Sequence, residues 1–333
     1  MGTNSKHYNA RLITGLAVLL IVAFAVSLYM GSAEISIKEV INSAKSGDIR
    51  NTSYRIFMFI RLPRSLAALF AGVALAVSGV IIQVVLSNPL ASPNIIGVNS
   101  GAGFFALLAM IFMPSQPEMI PFMAFLGALA TSMIIYLLSL KFGARRITIV
   151  LAGIAIGGIL SAGTDLLLTM FPQSIIGSKS FMVGGFSGIT LKSLFPAGYY
   201  ILAGLIVALI LSYEMNLLLL GGETAKSLGV RVGVIRLVLI AVASILAGAA
   251  VSFSGLLGFI GLVVPHLGRM LVGNNNKVLI PISALLGGSF VIICDTICRV
   301  MFAPYEIPVG IVMSFLGGPF FIYFLFKRRR SYD

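Results

Sequence analysis

Of the 333 residues, 59% are hydrophobic and 10% are charged, where a water-soluble chain carries about 25% Asp, Glu, Lys and Arg. Too few charges remain to cover a globule, so the composition describes a polytopic membrane protein; it excludes a disordered chain, and two cysteines exclude a disulfide scaffold. The net charge of +13 does not point to nucleic acid, because the 23 basic residues sit mostly at the ends of apolar runs rather than among stacking aromatics.

The first apolar run, residues 12–30, follows Lys6, His7 and Arg11 as the core of a signal peptide would. It is long enough to span about 30 Å of hydrocarbon and no small-x-small cleavage site follows, so it reads as a retained helix. Further runs lie at 65–86, 95–113, 122–140, 147–171, 197–213, 237–253, 255–271, 278–298 and 307–326. Ten transmembrane helices result. The chain is nearly continuous in hydrophobicity from 237 to 264, but Gly255, Gly258, Gly261 and Pro265 argue for a break and a short second piece. Charge parity agrees: with the N-terminus inside, ten crossings leave Lys327, Arg328, Arg329 and Arg330 inside, whereas nine strand them outside.

Inside segments then hold Lys6, Arg11, Lys141, Arg145, Arg146, Lys226, Arg231, Arg236, Arg269, Lys277 and the tail, fourteen of the 23 cations. Six of the other nine fall in one outer stretch, at Lys38, Lys45, Arg50, Arg55, Arg61 and Arg64. Two readings stand: a solvated loop of about 30 residues partly neutralised by Glu34, Glu39 and Asp48, or a docking surface for an acidic partner. An internal echo sets Ala71 to Gly79 against Ala247 to Gly255, and the same offset pairs Pro89 with Pro265 and Gly97 with Gly273. The second helix runs inward and the seventh outward, so the echo predicts an inverted repeat of helices 2–5 and 7–10; recurrence of small residues in membrane helices is the alternative.

Motifs for chemistry are mostly missing. There is no H-E-x-x-H, the histidines are His7 and His266, and no Ser-His-acid set or dinucleotide loop can be assembled. Gly222-Glu223-Thr224-Ala225-Lys226-Ser227 approaches a phosphate loop, but Ala225 and Leu220 stand where glycines are required. Asp165 and Asp295 are intramembrane acids and therefore functional candidates. Each also has a structural reading, Asp295 pairing with Arg299 one turn on and Asp165 accepting from Ser161 or Thr169. Cys294 and Cys298 share a face beside Asp295, as packing residues or, less simply, a metal site.

Several motifs occur in one order: Arg61-Leu62-Pro63-Arg64, Ala71-Gly72, Ser78-Gly79, Asn88-Pro89-Leu90-Ala91-Ser92-Pro93 and Gly97-Val98-Asn99-Ser100-Gly101-Ala102-Gly103. They continue with the stretch from Gly258 to Arg269, Glu306-Ile307-Pro308-Val309-Gly310 and Gly317-Gly318-Pro319-Phe320-Phe321. Over residues 55–327 the chain resembles the permeases of iron-siderophore, haem and cobalamin ABC importers. The resemblance implies a single all-α permease domain over 1–333, with a first half at 55–195, a cytoplasmic coupling loop at 214–236 and a second half at 237–327. It implies pairing with a second copy or paralogue, two cytoplasmic ATPase subunits that use ATP and Mg, and an extracytoplasmic binding protein, in the bacterial cytoplasmic membrane with both termini inside. This chain itself is expected to bind no cofactor or metal and to catalyse nothing. Gly222, Glu223, Thr224, Ala225, Lys226, Ser227, Leu228 and Gly229 match the family's ATPase-coupling element, and Arg61, Arg64 and Arg299 the arginines that receive acids of the binding protein. Asn88, Pro89, Asn99, Ser100, Pro265 and His266 stand in the motifs as candidates for the pathway or its gates. Ferric siderophore is the expected cargo on family frequency, haem or cobalamin the alternative, and an ion-coupled secondary transporter the reading from another class.

Overall fold

A computed structural model describes residues 2–142, 146–301, 303 and 305–329, and among them every regular element is helical. Arg145 and Arg330, used in the charge count, lie outside the described residues. In chain order the helices are α1 (Gly2–Tyr29), α2 (Ile37–Ser46), α3 (Thr52–Arg55), a π-type turn (Ile56–Arg61), α4 (Leu62–Val85), a 3-10 turn (Pro93–Ile96), α5 (Val98–Phe112), α6 (Met119–Lys141) and α7 (Arg146–Met170). There follow α8 (Ser174–Val183), α9 (Leu191–Ile210), α10 (Ser212–Leu219), α11 (Gly222–Ser227), α12 (Val232–Ser254), α13 (Ile260–Val272), α14 (Asn276–Val300) and α15 (Val309–Arg329).

Among the described residues, seven helices are long and apolar enough to cross a membrane, and shorter apolar helices occupy Val98–Phe112, Ile260–Val272 and Val309–Ile322, where the remaining runs were expected. The break after the seventh run falls at residues 255–259, so Gly255 and Gly258 interrupt the helix while Gly261 and Pro265 lie inside α13. The outer stretch is not a loop, because Ser36 and Asn51 cap two short helices in it.

Small residues decide which helices form the centre. The apolar windows around α4, α14 and α12 are 83%, 67% and 61% buried, against 17% for α1 and α7. A side chain at Gly72 would collide with the main chain of Gly287 and one at Gly287 with Gly72, so α4 and α14 approach backbone to backbone. Without a hydrophobic drive between helices in lipid, such contact maximises dispersion and is why glycine stands at both positions. Elsewhere α12 packs on α6, where Gly248 faces Ala128. The constant offset read from the sequence fails beyond this point. Gly97 precedes α5, the first helix after α4, whereas Gly273 precedes α14, the second helix after α12. The cause is the connection: residues 86–97 separate α4 from α5, but only 255–259 separate α12 from α13.

Candidate functional site

At the N-terminal end of α4, the end expected to face outward, the helix widens before it tightens. Pro63 has no N–H to offer the carbonyl four residues back, and just ahead of it Leu62 N–H bonds Phe57, five residues back. The wider turn carries Arg61 and the following turn Arg64, and both side chains point inward: Arg61, Arg64 and Arg299 are 3%, 5% and 2% exposed. Arg61 donates to the carbonyls of Leu28 and Tyr29 at the end of α1, where a cation also meets the negative end of the helix dipole, and to that of Ala33 in the segment that follows. Arg64 grips Asp295 of α14 through Nε and Nη2 at 3.0–3.2 Å and holds Glu306 through Nη1. Arg299 Nε lies 3.1 Å from Asp295 Oδ2, an ion contact without hydrogen-bond alignment, while its Nη2 donates to Ser27 Oγ at 2.7 Å. Ser27 meets Ser65 at 2.7 Å, which closes a junction of α1, α4 and α14.

The three arginines expected to form an outward docking surface are therefore not one. Their charges are consumed inside the protein, because a guanidinium withdrawn from water needs a carboxylate or carbonyl partner. The i,i+4 pairing of Asp295 with Arg299 is present as expected. The sequence reading placed Glu306 in a motif but gave it no site role; it sits before α15 and gathers Arg64, Ser187 and Ser32. Partial burial pushes its carboxyl up, but the bond and charge of Arg64 and the two hydroxyls outweigh this and hold it below its ordinary range.

At the opposite end of the bundle lies a helical hairpin, α10 and α11. Gly222, Glu223, Thr224, Lys226, Ser227, Leu228 and Gly229 are exposed or half-buried, and Ala225 alone is fully buried, pinning α11 to the body. Leu228 is 56% exposed, on the same short segment as the exposed Glu223 and Lys226. Val230 N–H bonds the Ala225 carbonyl and Gly229 N–H that of Lys226, with Gly229 at φ +88°. This is a Schellman stop, whose left-handed residue is most cheaply glycine. A second feature was unexpected: Asn216 of α10 accepts from Asn276 N–H at 2.8 Å and donates to Asn275 at 3.1 Å, clasping the hairpin to the first turn of α14. Asn275 is a legible N-cap; its distant partner is not.

The six pathway candidates separate. Asn99 lines an open cleft of about 680 Å³ with Met182, Leu256, Gly258, Ser314 and Phe315. His266 lies on α13 with its ring 6.2 Å edge-on from Phe320, and Pro265 is buried beside it. Ser100 faces Gly157 of α7. Asn88 accepts from Leu90 N–H at 3.0 Å in the turn after α4, next to Pro89, and neither is among the residues lining that cleft. Asp165 is exposed on α7, and Thr169 donates to its main-chain carbonyl rather than its carboxylate. Cys294 and Cys298 are buried and unbridged, and no cluster of three metal-binding side chains occurs among the described residues.

Residues 19–327 match the profile of the FecCD transport family. The chain belongs to that family. It is 34% identical to the Fe(3+)-citrate import system permease protein YfmE of Bacillus subtilis, over 95% of each chain. It is 37% identical to the hemin transport system permease protein HmuU of Yersinia pestis, over 96% of this chain and 97% of that one. Among solved structures it superposes, with a TM-score of 0.83 and 30% identity over 96% of this chain and 99% of the other, on a chain assigned to the metal-chelate type of ABC transporter in an inward-facing conformation. Membership in the FecCD family makes the protein an ABC importer permease, a membrane transport subunit and not an enzyme.

Proposed function

We propose that this permease carries ferric siderophore across the bacterial cytoplasmic membrane by alternating access, with haem or cobalamin as the alternative cargo. Support comes from relatives named for ferric citrate and hemin, both compact metal chelates, and from the open cleft at Asn99, broad enough for water and lined by small and apolar groups. The observation that carries the mechanism is the exposed α10–α11 hairpin. With no complete phosphate loop in this chain, ATP and Mg act on a separate ATPase pair, for which Glu223, Lys226 and Leu228 form the contact. ATP-driven closure of that pair displaces the hairpin, and helices packed through glycine shift between discrete arrangements rather than deform continuously.

In this reading ten helices cross the membrane in one domain as an inverted repeat, both termini are cytoplasmic, and a second copy or paralogue completes the pathway. A binding protein docks at the end of the bundle opposite the hairpin, on the exposed surface around the buried arginine cluster. The complex with its ATPase and binding protein, reconstituted in vesicles, is expected to accumulate ferric chelate with ATP present and ion gradients collapsed by an ionophore. Transport that stops with the gradient while ATP remains supports the ion-coupled reading instead.

A further inference from the structure

With Arg61 and Arg64 withdrawn into the protein, four cations of the outer stretch stay exposed: Lys38, Lys45, Arg50 and Arg55. Two of them stand on α2, whose construction is unusual for a helix tied to a bundle. Ser36 caps its start by accepting from Glu39 N–H, and Gly47 at φ +73° caps its end. Between the caps only Val40 and Ser43 are buried. Ten residues lie below the length of about 12–15 at which an isolated helix holds in water, so one anchored side is little support. At about 100° per residue, Ile37, Ile41 and Ala44 form one stripe, and Ile37 and Ile41 are 52% and 49% exposed. Lys38 and Lys45 flank that stripe on its outer edge. Glu39 lies on the far side, where it accepts a hydrogen bond from Ser53 at 2.8 Å.

Tyr29 and Met30 at the end of α1, and Phe59 and Ile60 ahead of α4, are exposed at the same end of the bundle, and Ser36 and Glu39 tie α2 to Ser53 within the helical run that becomes α4. An acidic protein that docks and leaves would satisfy the lysines but return two isoleucines to water between encounters. A bilayer covers them permanently and offers phosphates to the lysines, the arrangement of interfacial amphipathic helices. We propose that α2 lies in the membrane–water interface, with Ile37, Ile41 and Ala44 among the upper acyl chains and Lys38 and Lys45 on the phosphates of anionic lipid headgroups. The helix then fixes the height at which the outer end of α4, with its arginines, meets the membrane.

The test labels the chain with an environment-sensitive fluorophore at Ile41→Cys, at Ala44→Cys on the same stripe, and at Ser46→Cys on the opposite side; the unsubstituted chain, whose cysteines are buried, sets the background. In vesicles of phosphatidylcholine with phosphatidylglycerol, nitroxide on the upper acyl chain should quench the Ile41 and Ala44 labels and aqueous iodide should not, with the reverse at Ser46. Lys38→Gln with Lys45→Gln should raise iodide access at Ile41 in the anionic vesicles and leave it unchanged in pure phosphatidylcholine. Iodide quenching equal on both sides of the helix overturns the proposal, as does shielding of Ile41 that appears only when binding protein is added. An effect of the lysine changes that is the same in both lipids removes the headgroup contact.

Discussion

Removing the Asp295 carboxylate should damage the protein more than any other single change in the outer cluster. Asp295, Arg299 and Arg64 have side chains 1%, 3% and 7% exposed, so solvent screens their interactions little. In Asp295→Ala, two guanidiniums that now share one carboxylate face each other across a site that water does not reach, with Glu306 left to serve Arg64 alone. Breaking a buried pair by removing one partner costs about 3–5 kcal/mol, mostly as an uncompensated buried charge. Glu306 is 32% exposed, and neutralising it as Glu306→Gln should cost no more than about 1 kcal/mol, the scale of a solvated pair. Replacing Arg64, Asp295 and Arg299 together by apolar residues of similar volume should recover most of the loss, since such exchanges are often neutral. Unfolding in mixed micelles of rising dodecyl sulfate fraction would measure each variant. An Asp295→Ala effect below about 1 kcal/mol, or no larger than that of Glu306→Gln, would refute the internal network. Charge reversal at Arg64 or Arg299 should likewise disorder this end of the bundle, so loss of binding-protein affinity in those variants would not by itself report docking.

The apolar runs made the helices readable because a membrane enforces one signal, about 20 apolar residues per crossing, and glycines marked the break near Gly255. What stayed hidden was pairing at long range. Arg64 looked like a surface cation because charges beside an apolar run are usually solvated, yet its partners Asp295 and Glu306 lie 231 and 242 positions away. Asn216 and Asn276 are separated by 60, and no local pattern signals their meeting. Gly72 and Gly248 both stand at close helix contacts, but the constant offset between the two stretches fails across connections of unequal length. The short helices α2 and α3 were missed because their caps, Ser36 and Asn51, sit in a polar stretch with no spanning run to draw attention to them.

Three further predictions address the two ends of the molecule. Gly229→Val places a β-branched residue at φ +88°, where non-glycine backbone costs about 1–2 kcal/mol; binding-protein-stimulated ATPase activity of the assembled complex should fall, and unaltered stimulation would remove the hairpin from the mechanism. Because the Glu306 carboxyl is held below its ordinary range, its contribution is present above the unfolded glutamate value near about 4.3 and lost as pH falls through the lower folded value. Thermal midpoints of the parent and Glu306→Gln should thus differ at pH 7 and converge in acid, and a constant difference would exclude the carboxylate as the cause. The third prediction concerns α14, which at 25 residues and 1.5 Å each is about 37 Å long. Its first turn is clasped by Asn216 of the hairpin, its middle is locked to α4 at Gly287, and its last turns hold the arginine cluster. A helix fixed at both ends and unable to slide past α4 transmits displacement only as a unit, so changes at its two ends should interact. Sites this far apart ordinarily act additively. Asn216→Ala and Glu306→Gln should each lower transport per ATP hydrolysed, and the double variant should lose less than the two effects combined; strict additivity, with both singles folded normally, would reduce α14 to a passive scaffold.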